Sequence, residues 1–155
     1  FPLDKWDRLF NVNVRGVSIL TQKVANLMKD QGGGNIINIS SMASLRGFDE
    51  DVLPSIPYCA SKGAINLLTI DLAVKLAQYN IRVNAIAPGY FRTDITSYFD
   101  LPEMKWAYDR LLQGIPLKRI ADIDDIKGVA VFLASEASAY MTGHILRLDG
   151  GFTAK

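Results

Sequence analysis

The chain has 155 residues, 49% of them hydrophobic and 21% charged, an ordinary balance for one globular domain. Its 17 Lys and Arg against 16 Asp and Glu give a net charge of +1 with the basic residues scattered, which argues against nucleic acid and against an anionic membrane surface as partners. No apolar run reaches about 18 residues, so no membrane span is expected. The single cysteine, Cys59, cannot form an internal disulfide and points to a reducing, cytoplasmic compartment.

The sequence starts at Phe1 rather than methionine and carries no secretory pattern, so a further upstream segment is expected. Asp4 reads as the N-cap of a heavily buried helix running to about Lys29, with apolar positions from Trp6 through Val12, Val17, Leu20 and Val24 to Met28. Asn13 stands among these apolar residues. An asparagine so placed needs a hydrogen-bond partner, either neighbouring backbone or a buried water. Gly32-Gly33-Gly34 then closes the helix and opens a strand. It is not a phosphate loop, because a dinucleotide fingerprint sets its glycines between a strand and a helix start. Neither G-x-G-x-x-G nor G-x-x-x-G-x-G occurs in the chain.

Ile36, Ile37 and Ile39 put branched groups on both faces of a strand, the pattern of a parallel strand covered on each side. Ser40 and Ser41 follow at its carboxyl end, where ligands gather in such sheets. Asp49-Glu50-Asp51, with Pro54 and Pro57 behind it, reads as an irregular solvated loop. A helix from about Tyr58 to Gln78 has an apolar stripe through Ala60, Ala64, Leu67, Leu68, Leu72, Ala73, Leu76 and Ala77. A strand near Ile81 to Ile86 follows, broken by Pro88-Gly89. From Asp94 to Gly114 the pattern is helical but irregular and rich in aromatic residues. Asp122 reads as an N-cap with Asp124 and Asp125 in the first turn of a helix to about Ala134, and a last strand lies near Ile145 to Leu148. This alternation predicts an α/β fold with parallel neighbours and right-handed crossovers.

Tyr58 and Lys62 lie four apart, so they stack on one helix face and address one site. At about 4 Å and an effective dielectric near 20, the ammonium favours the phenolate by roughly 4 kcal/mol. Such a tyrosine can exchange a proton with an alcohol near neutral pH. Taken alone, the pair more often means a ring covered by a lysine stem. Cys59 points about 100° away around the helix and reads as packing. His144, the only histidine, lacks the partners of a triad or a metal site, so no metal is expected.

Three further segments decide the reading of that pair: Asn11-Val12-Asn13-Val14-Arg15-Gly16, Asn35-Ile36-Ile37-Asn38-Ile39-Ser40-Ser41 and Asn84-Ala85-Ile86-Ala87-Pro88-Gly89-Tyr90-Phe91-Arg92-Thr93. With Tyr58-Cys59-Ala60-Ser61-Lys62 and the Thr142-Gly143-His144 to Gly151 ending, the sequence resembles the short-chain dehydrogenase/reductase family. The resemblance runs from Leu3 to Phe152 and covers only the second half of that family's domain. It implies an α/β fold that is the second half of a doubly wound Rossmann-type parallel sheet. The half with the glycine-rich loop is absent, so residues 1–155 are expected to form the catalytic and substrate-lid part.

The resemblance also implies roles. Tyr58 is the general acid or base, Lys62 assists it and holds the ribose, Ser41 bonds the substrate oxygen and Asn13 orders a water that links Lys62 to solvent. Pro88, Gly89, Phe91 and Thr93 contact the nicotinamide of NAD or NADP. The interval from Ser41 to Tyr58 is longer than the family's common spacing, which places an insertion within 47–57 as a candidate substrate wall. The segment 94–114 is expected to be the substrate lid. The run from Asn80 to Thr93 looks most like the gluconate 5-dehydrogenase-like branch, which implies a sugar acid, ketose or polyol as the small-molecule substrate. A 3-oxoacyl thioester reductase is the alternative enzyme, and a non-catalytic folding or assembly unit the alternative from another class. A homodimer or homotetramer is expected of the complete enzyme.

Overall fold

The computed structural model describes residues 2–48 and 55–155, so the acidic run Asp49-Glu50-Asp51 and Pro54, expected as an insertion, lie outside the described residues. The chain opens on helix α1 (Leu3–Phe10), passes through a π-helical turn (Asn11–Gly16) and continues as α2 (Val17–Asp30). The cap is Pro2 rather than Asp4, at a position where a missing N–H leaves no bond unmade. Asp4 lies in the first turn, where its charge meets the positive helix end. The expected deep burial is also revised: Thr21 and Ala25 are buried, whereas Val12 and Leu20 are about two-thirds exposed, at 65% and 64%. These two line an open trough of about 450 Å³ between α2 and the first strand.

Three parallel strands, β1 (Gly34–Ile39), β2 (Ile81–Pro88) and β3 (Ile145–Leu148), form one sheet in the order β1-β2-β3. The register pairs Ile36 with Val83, Ile39 with Ile86, and Pro88 with Leu148. Side chains alternate across it with the period of two. Ile36, Ile81 and Val83 face one side and pack with Ala25 of α2 and with Ala73 and Leu76 of α3 (Ile56–Leu76). Asn35 and Arg82 face the other side, where both donate to the Leu133 carbonyl of α5 (Ile123–Ala134), Arg82 at 3.0 Å. Helices therefore cover both faces, the doubly wound arrangement. The central strand β2 is almost wholly buried, while β1 lies at the edge with Ile39 about half exposed.

Helix α3 buries Pro57, Ser61, Ile65, Thr69, Ala73 and Leu76, one stripe at helical spacing. The expected stripe through Leu67 is displaced: Leu67 is 68% exposed and shares an outward apolar face with Ile70 and Val74. Two hydroxyls take the inward places because both are satisfied. Thr69 donates to the Ile65 carbonyl at 2.8 Å and accepts from Asn38 Nδ2 at 2.9 Å, so its burial leaves no polar group unpaired. Asn80, at φ 58°, then turns the chain into β2.

Asn84 ties β2 to the approach of β3. It is fully buried, its Nδ2 donates to the Met141 carbonyl at 2.8 Å, and its Oδ1 accepts the His144 N–H at 3.0 Å. The Thr142-Gly143-His144 turn is thereby fixed, with Gly143 N–H also on the Val83 carbonyl at 2.7 Å. Asn84→Ala removes both bonds: the Met141 carbonyl keeps Arg82 Nη1 at 3.1 Å, but the His144 N–H loses its acceptor and a polar cavity is left in the fully buried site. The substitution is expected to lower unfolding free energy by about 2–4 kcal/mol in a urea titration.

Asp122 caps α5 as expected, in a reciprocal pairing with Asp125. Arg119 grips Asp125 with two hydrogen bonds, 2.6 and 2.7 Å, and these, with the Asp122 N–H, hold the Asp125 carboxyl down at about 2. A folded-state pKa below the unfolded value of about 3.9 means stabilisation that is fully present above that pH. It is lost as pH falls towards 2. Arg119→Ala is therefore expected to reduce the loss of thermal stability between pH 4 and pH 2, measured as Tm against pH. An unchanged slope would contradict the pairing.

Thr93 caps a short helical turn (Asp94–Asp100), which leads through Pro102–Met104 into α4 (Lys105–Gly114). Leu111 of α4, Ile115 and Ile120 pack with Met42, just after β1, and with Phe152 near the chain end. The segment after Ser41, the 94–114 segment and the carboxyl-terminal turn thus share one core. Among the described residues no helix is long and apolar enough to cross a membrane.

Candidate active site

The parallel register brings the carboxyl ends of β1 and β2 side by side. Ser40 N–H donates to the Ile86 carbonyl at 2.8 Å, which sets Ser40-Ser41 level with Ala87-Pro88-Gly89. Helix α3 supplies the other wall. Its first turns carry Tyr58 and Lys62, both half-buried, with Lys62 Nζ 5.8 Å from the Tyr58 ring centroid. The ammonium donates to the Ile39 carbonyl at 2.9 Å, the last residue of β1. It is thus anchored on the strand end rather than on the phenol alone, and burial lowers the Lys62 pKa from its ordinary value. A cation at the carboxyl end of a strand, beside a phenol, is an arrangement for moving a proton to or from a bound oxygen.

Ser41 and Ser40 separate in role. Ser41 is buried, and its Oγ accepts the Ala43 N–H at 3.1 Å as the cap of a short turn, leaving the hydroxyl proton to donate elsewhere. Ser40 donates to Asn66 Oδ1 at 2.5 Å and lies 3.0 Å from Ser44 Oγ, so it knits the end of β1 to α3. Asn13 has a side-chain partner on α3. Its Nδ2 donates to Ser61 Oγ at 3.1 Å, and Ser61 in turn donates to the Tyr58 carbonyl at 2.8 Å.

Pro88 ends β2, and Gly89 N–H donates to the Leu148 carbonyl at 2.9 Å. A Cβ on Gly89 would come within 2.7 Å of Asp149 Cα, so the close approach of β2 and β3 requires glycine there. Asp149 is held by Gly151 N–H and by the backbone and hydroxyl of Thr153. Burial pushes its carboxyl up, but these bonds bring it below the usual range. Phe91 is buried and pairs with Ala121, whereas Thr93 is exposed and paired with Thr96 in its capping box.

Beyond Tyr90 a cavity of about 290 Å³ opens between the 94–114 segment and the chain end, lined among others by Tyr98, Phe99, Met104, Trp106 and Phe152. Burial, with Tyr98 nearby, pushes the Tyr90 phenol up to about 12, so it stays a hydrogen-bond donor. Arg46 donates to the Phe152 carbonyl at 3.2 Å and lies over the Phe48 and Phe152 rings. Sequence reasoning missed Ser61, Tyr90 and the Arg46–Phe152 contact. Ser61 alone had a signal, one turn after Pro57 on the buried stripe.

The family model described as Enoyl-(Acyl carrier protein) reductase matches residues 1–153. The 5-keto-D-gluconate 5-reductase of Escherichia coli (strain K12) is 41% identical over 151 residues, covering 97% of this chain and 57% of that protein. The 2-dehydro-3-deoxy-D-gluconate 5-dehydrogenase of Bacillus subtilis (strain 168) is 43% identical over 155 residues, covering 100% of this chain and 59% of that one. A crystal structure of a gluconate 5-dehydrogenase from Burkholderia cenocepacia J2315, in complex with NADP and tartrate, matches with a TM-score of 0.90 at 37% identity. It covers 100% of this chain and 58% of its own. The chain thus spans less than three-fifths of the length of these relatives. With its parallel sheet covered on both faces, its Tyr58–Lys62 pair at the strand ends and these relatives, the chain belongs to the short-chain dehydrogenase/reductase family.

Proposed function

We propose that the full-length protein is an NAD(P)-dependent oxidoreductase acting between a carbonyl and an alcohol carbon of a sugar acid, ketose or polyol, and that residues 1–155 are its catalytic and substrate-lid part. The observation that carries this reading is the convergence of Tyr58, Lys62 and Ser41 at the carboxyl end of β1, with Lys62 Nζ on the Ile39 carbonyl. The donor set also suits the nicotinamide end of NAD or NADP. Lys62 has donors beyond the one spent on Ile39, and Pro88, Gly89, Phe91 and Thr93 offer backbone groups and one hydroxyl at the same strand ends. The adenosine end falls to the remaining length of the relatives, since this chain has no glycine fingerprint.

When bound, the nicotinamide supplies or accepts the hydride. Ser41 donates its free hydroxyl proton to the substrate oxygen. Tyr58 gives that oxygen a proton in reduction and takes it in oxidation, and Lys62 favours the phenolate while holding the ribose hydroxyls. Asn13 orders the water through which the proton is replaced. The cavity beyond Tyr90 receives the rest of the substrate, with Tyr90 as a donor to its hydroxyls.

The name of the Escherichia coli relative supports a keto sugar acid as substrate, and the NADP complex of the Burkholderia enzyme supports the cofactor. The outward face of Leu67, Ile70 and Val74 on α3 supports a homodimer or homotetramer, and the lone cysteine a cytoplasmic location. The test is reduction of 5-keto-D-gluconate and of an acetoacetyl thioester by the full-length protein with NADH and with NADPH. Faster turnover of the keto acid is expected. Preference for the thioester would overturn the substrate class, and inertness towards both would count against the activity.

A further inference from the structure

We propose that Ser61 is a positioning residue of this site: it fixes which edge of the Asn13 amide is turned towards Lys62. The inference rests on the proposed proton-transfer role of Tyr58 and Lys62. Ser61 is fully buried on α3, and its hydroxyl proton is committed to the Tyr58 carbonyl at 2.8 Å. Only lone pairs of its oxygen remain, so the group facing it must donate. An asparagine amide can present either edge, NH2 or C=O, and the hydrogen-bond network decides between them. Against Ser61 the NH2 edge is selected, as the 3.1 Å contact from Asn13 Nδ2 records.

The carbonyl edge is the consequence. Because the amide is planar, fixing Nδ2 on Ser61 turns Oδ1 away from it. Asn13, Ile39 and Lys62 line one trough, and Lys62 Nζ, already donating to Ile39, has further N–H groups to offer. A water accepting from the ammonium can then donate to Asn13 Oδ1. The reversed amide would set NH2 donors beside an ammonium, with no acceptor for that water. Asn13 also lies in the π-helical turn Asn11–Gly16, an irregularity found frequently at functional sites.

The experiment uses the full-length enzyme with 5-keto-D-gluconate or whichever carbonyl substrate it turns over. Ser61→Ala removes the acceptor, and Ser61→Cys keeps a similar volume with a poor acceptor. Both are expected to lower kcat about tenfold, the loss of one hydrogen bond, with the coenzyme KM unchanged. The solvent deuterium effect on kcat is expected to rise, because proton replacement becomes slower. Ser61→Ala added to Asn13→Ala is expected to lose nothing further, since Ser61 acts through Asn13. A kcat within twofold of the parent in Ser61→Cys, or losses that multiply in the double variant, would overturn the proposal. Tyr58→Phe serves as the control: if it retains turnover, the proton-transfer role of Tyr58 on which this inference rests fails, whatever Ser61 does.

Discussion

Tyr58→Phe in the full-length enzyme is expected to lower kcat by about 10²–10⁴, the usual contribution of a positioned acid or base, while coenzyme affinity changes little. The substitution removes only the phenol oxygen. The ring still packs beside the Lys62 stem, with Nζ 5.8 Å from the ring centroid in the parent, and Ser61 still donates to the backbone carbonyl of residue 58. The loss therefore reports proton transfer and not the position of α3. Single-turnover rates and coenzyme titration separate the two, and near-normal kcat would remove Tyr58 from the mechanism.

Lys62→Met is expected to act on both steps. It keeps an unbranched stem of similar length and removes the cation, so Tyr58 loses the neighbouring charge and the Ile39 carbonyl loses its donor. A drop in kcat of about 10²-fold is expected, with coenzyme binding weakened by about tenfold, in the range of a lost charged hydrogen bond. The direction of the Lys62 shift adds a stability signature. Its folded pKa is lowered by burial, so the unfolded chain binds the proton more tightly. Around the ordinary lysine value, stability contributed by Lys62 rises with pH, and Lys62→Met should flatten Tm against pH there.

These two side chains were the most legible part of the sequence, because spacing of four on a helix fixes a shared face whatever surrounds it. The first strand was equally legible, since Ile36, Ile37 and Ile39 put branched residues on both faces. The stripe of α3 was not. Leu67 looked like core, yet Ser61 and Thr69 hold the inward positions, and nothing in composition tells that Asn13 and Asn38 wait opposite to satisfy them. Burial of a hydroxyl is decided by partners 31 and 48 residues away in sequence. The burial of the first helix was overestimated for a related reason. Its apolar pattern is real, but Val12 and Leu20 face a trough beside an edge strand, and periodicity cannot say what lies across from a face.

The site divided in the same way. Ser41 was singled out from its neighbour Ser40 by the family resemblance alone, and the hydrogen bonds show how the two differ: Ser40 donates to Asn66 of α3, whereas Ser41 Oγ accepts the Ala43 N–H. Thr93 was anticipated as a cofactor contact, but its capping of the Asp94–Asp100 turn needed the backbone to be seen. The Arg46–Phe152 contact joins residues 106 positions apart and carried no local signal.

The most direct test of the account is to follow label from the coenzyme to the product. The full-length enzyme is supplied with nicotinamide coenzyme deuterated at its reducing carbon and with 5-keto-D-gluconate, and the product is analysed by mass spectrometry and NMR. Deuterium is expected on the new carbinol carbon of the product that the parent enzyme forms, and that product is expected to be lost with Tyr58→Phe. A reduced product without deuterium at that carbon, or equal formation by the Tyr58→Phe enzyme, would contradict the account.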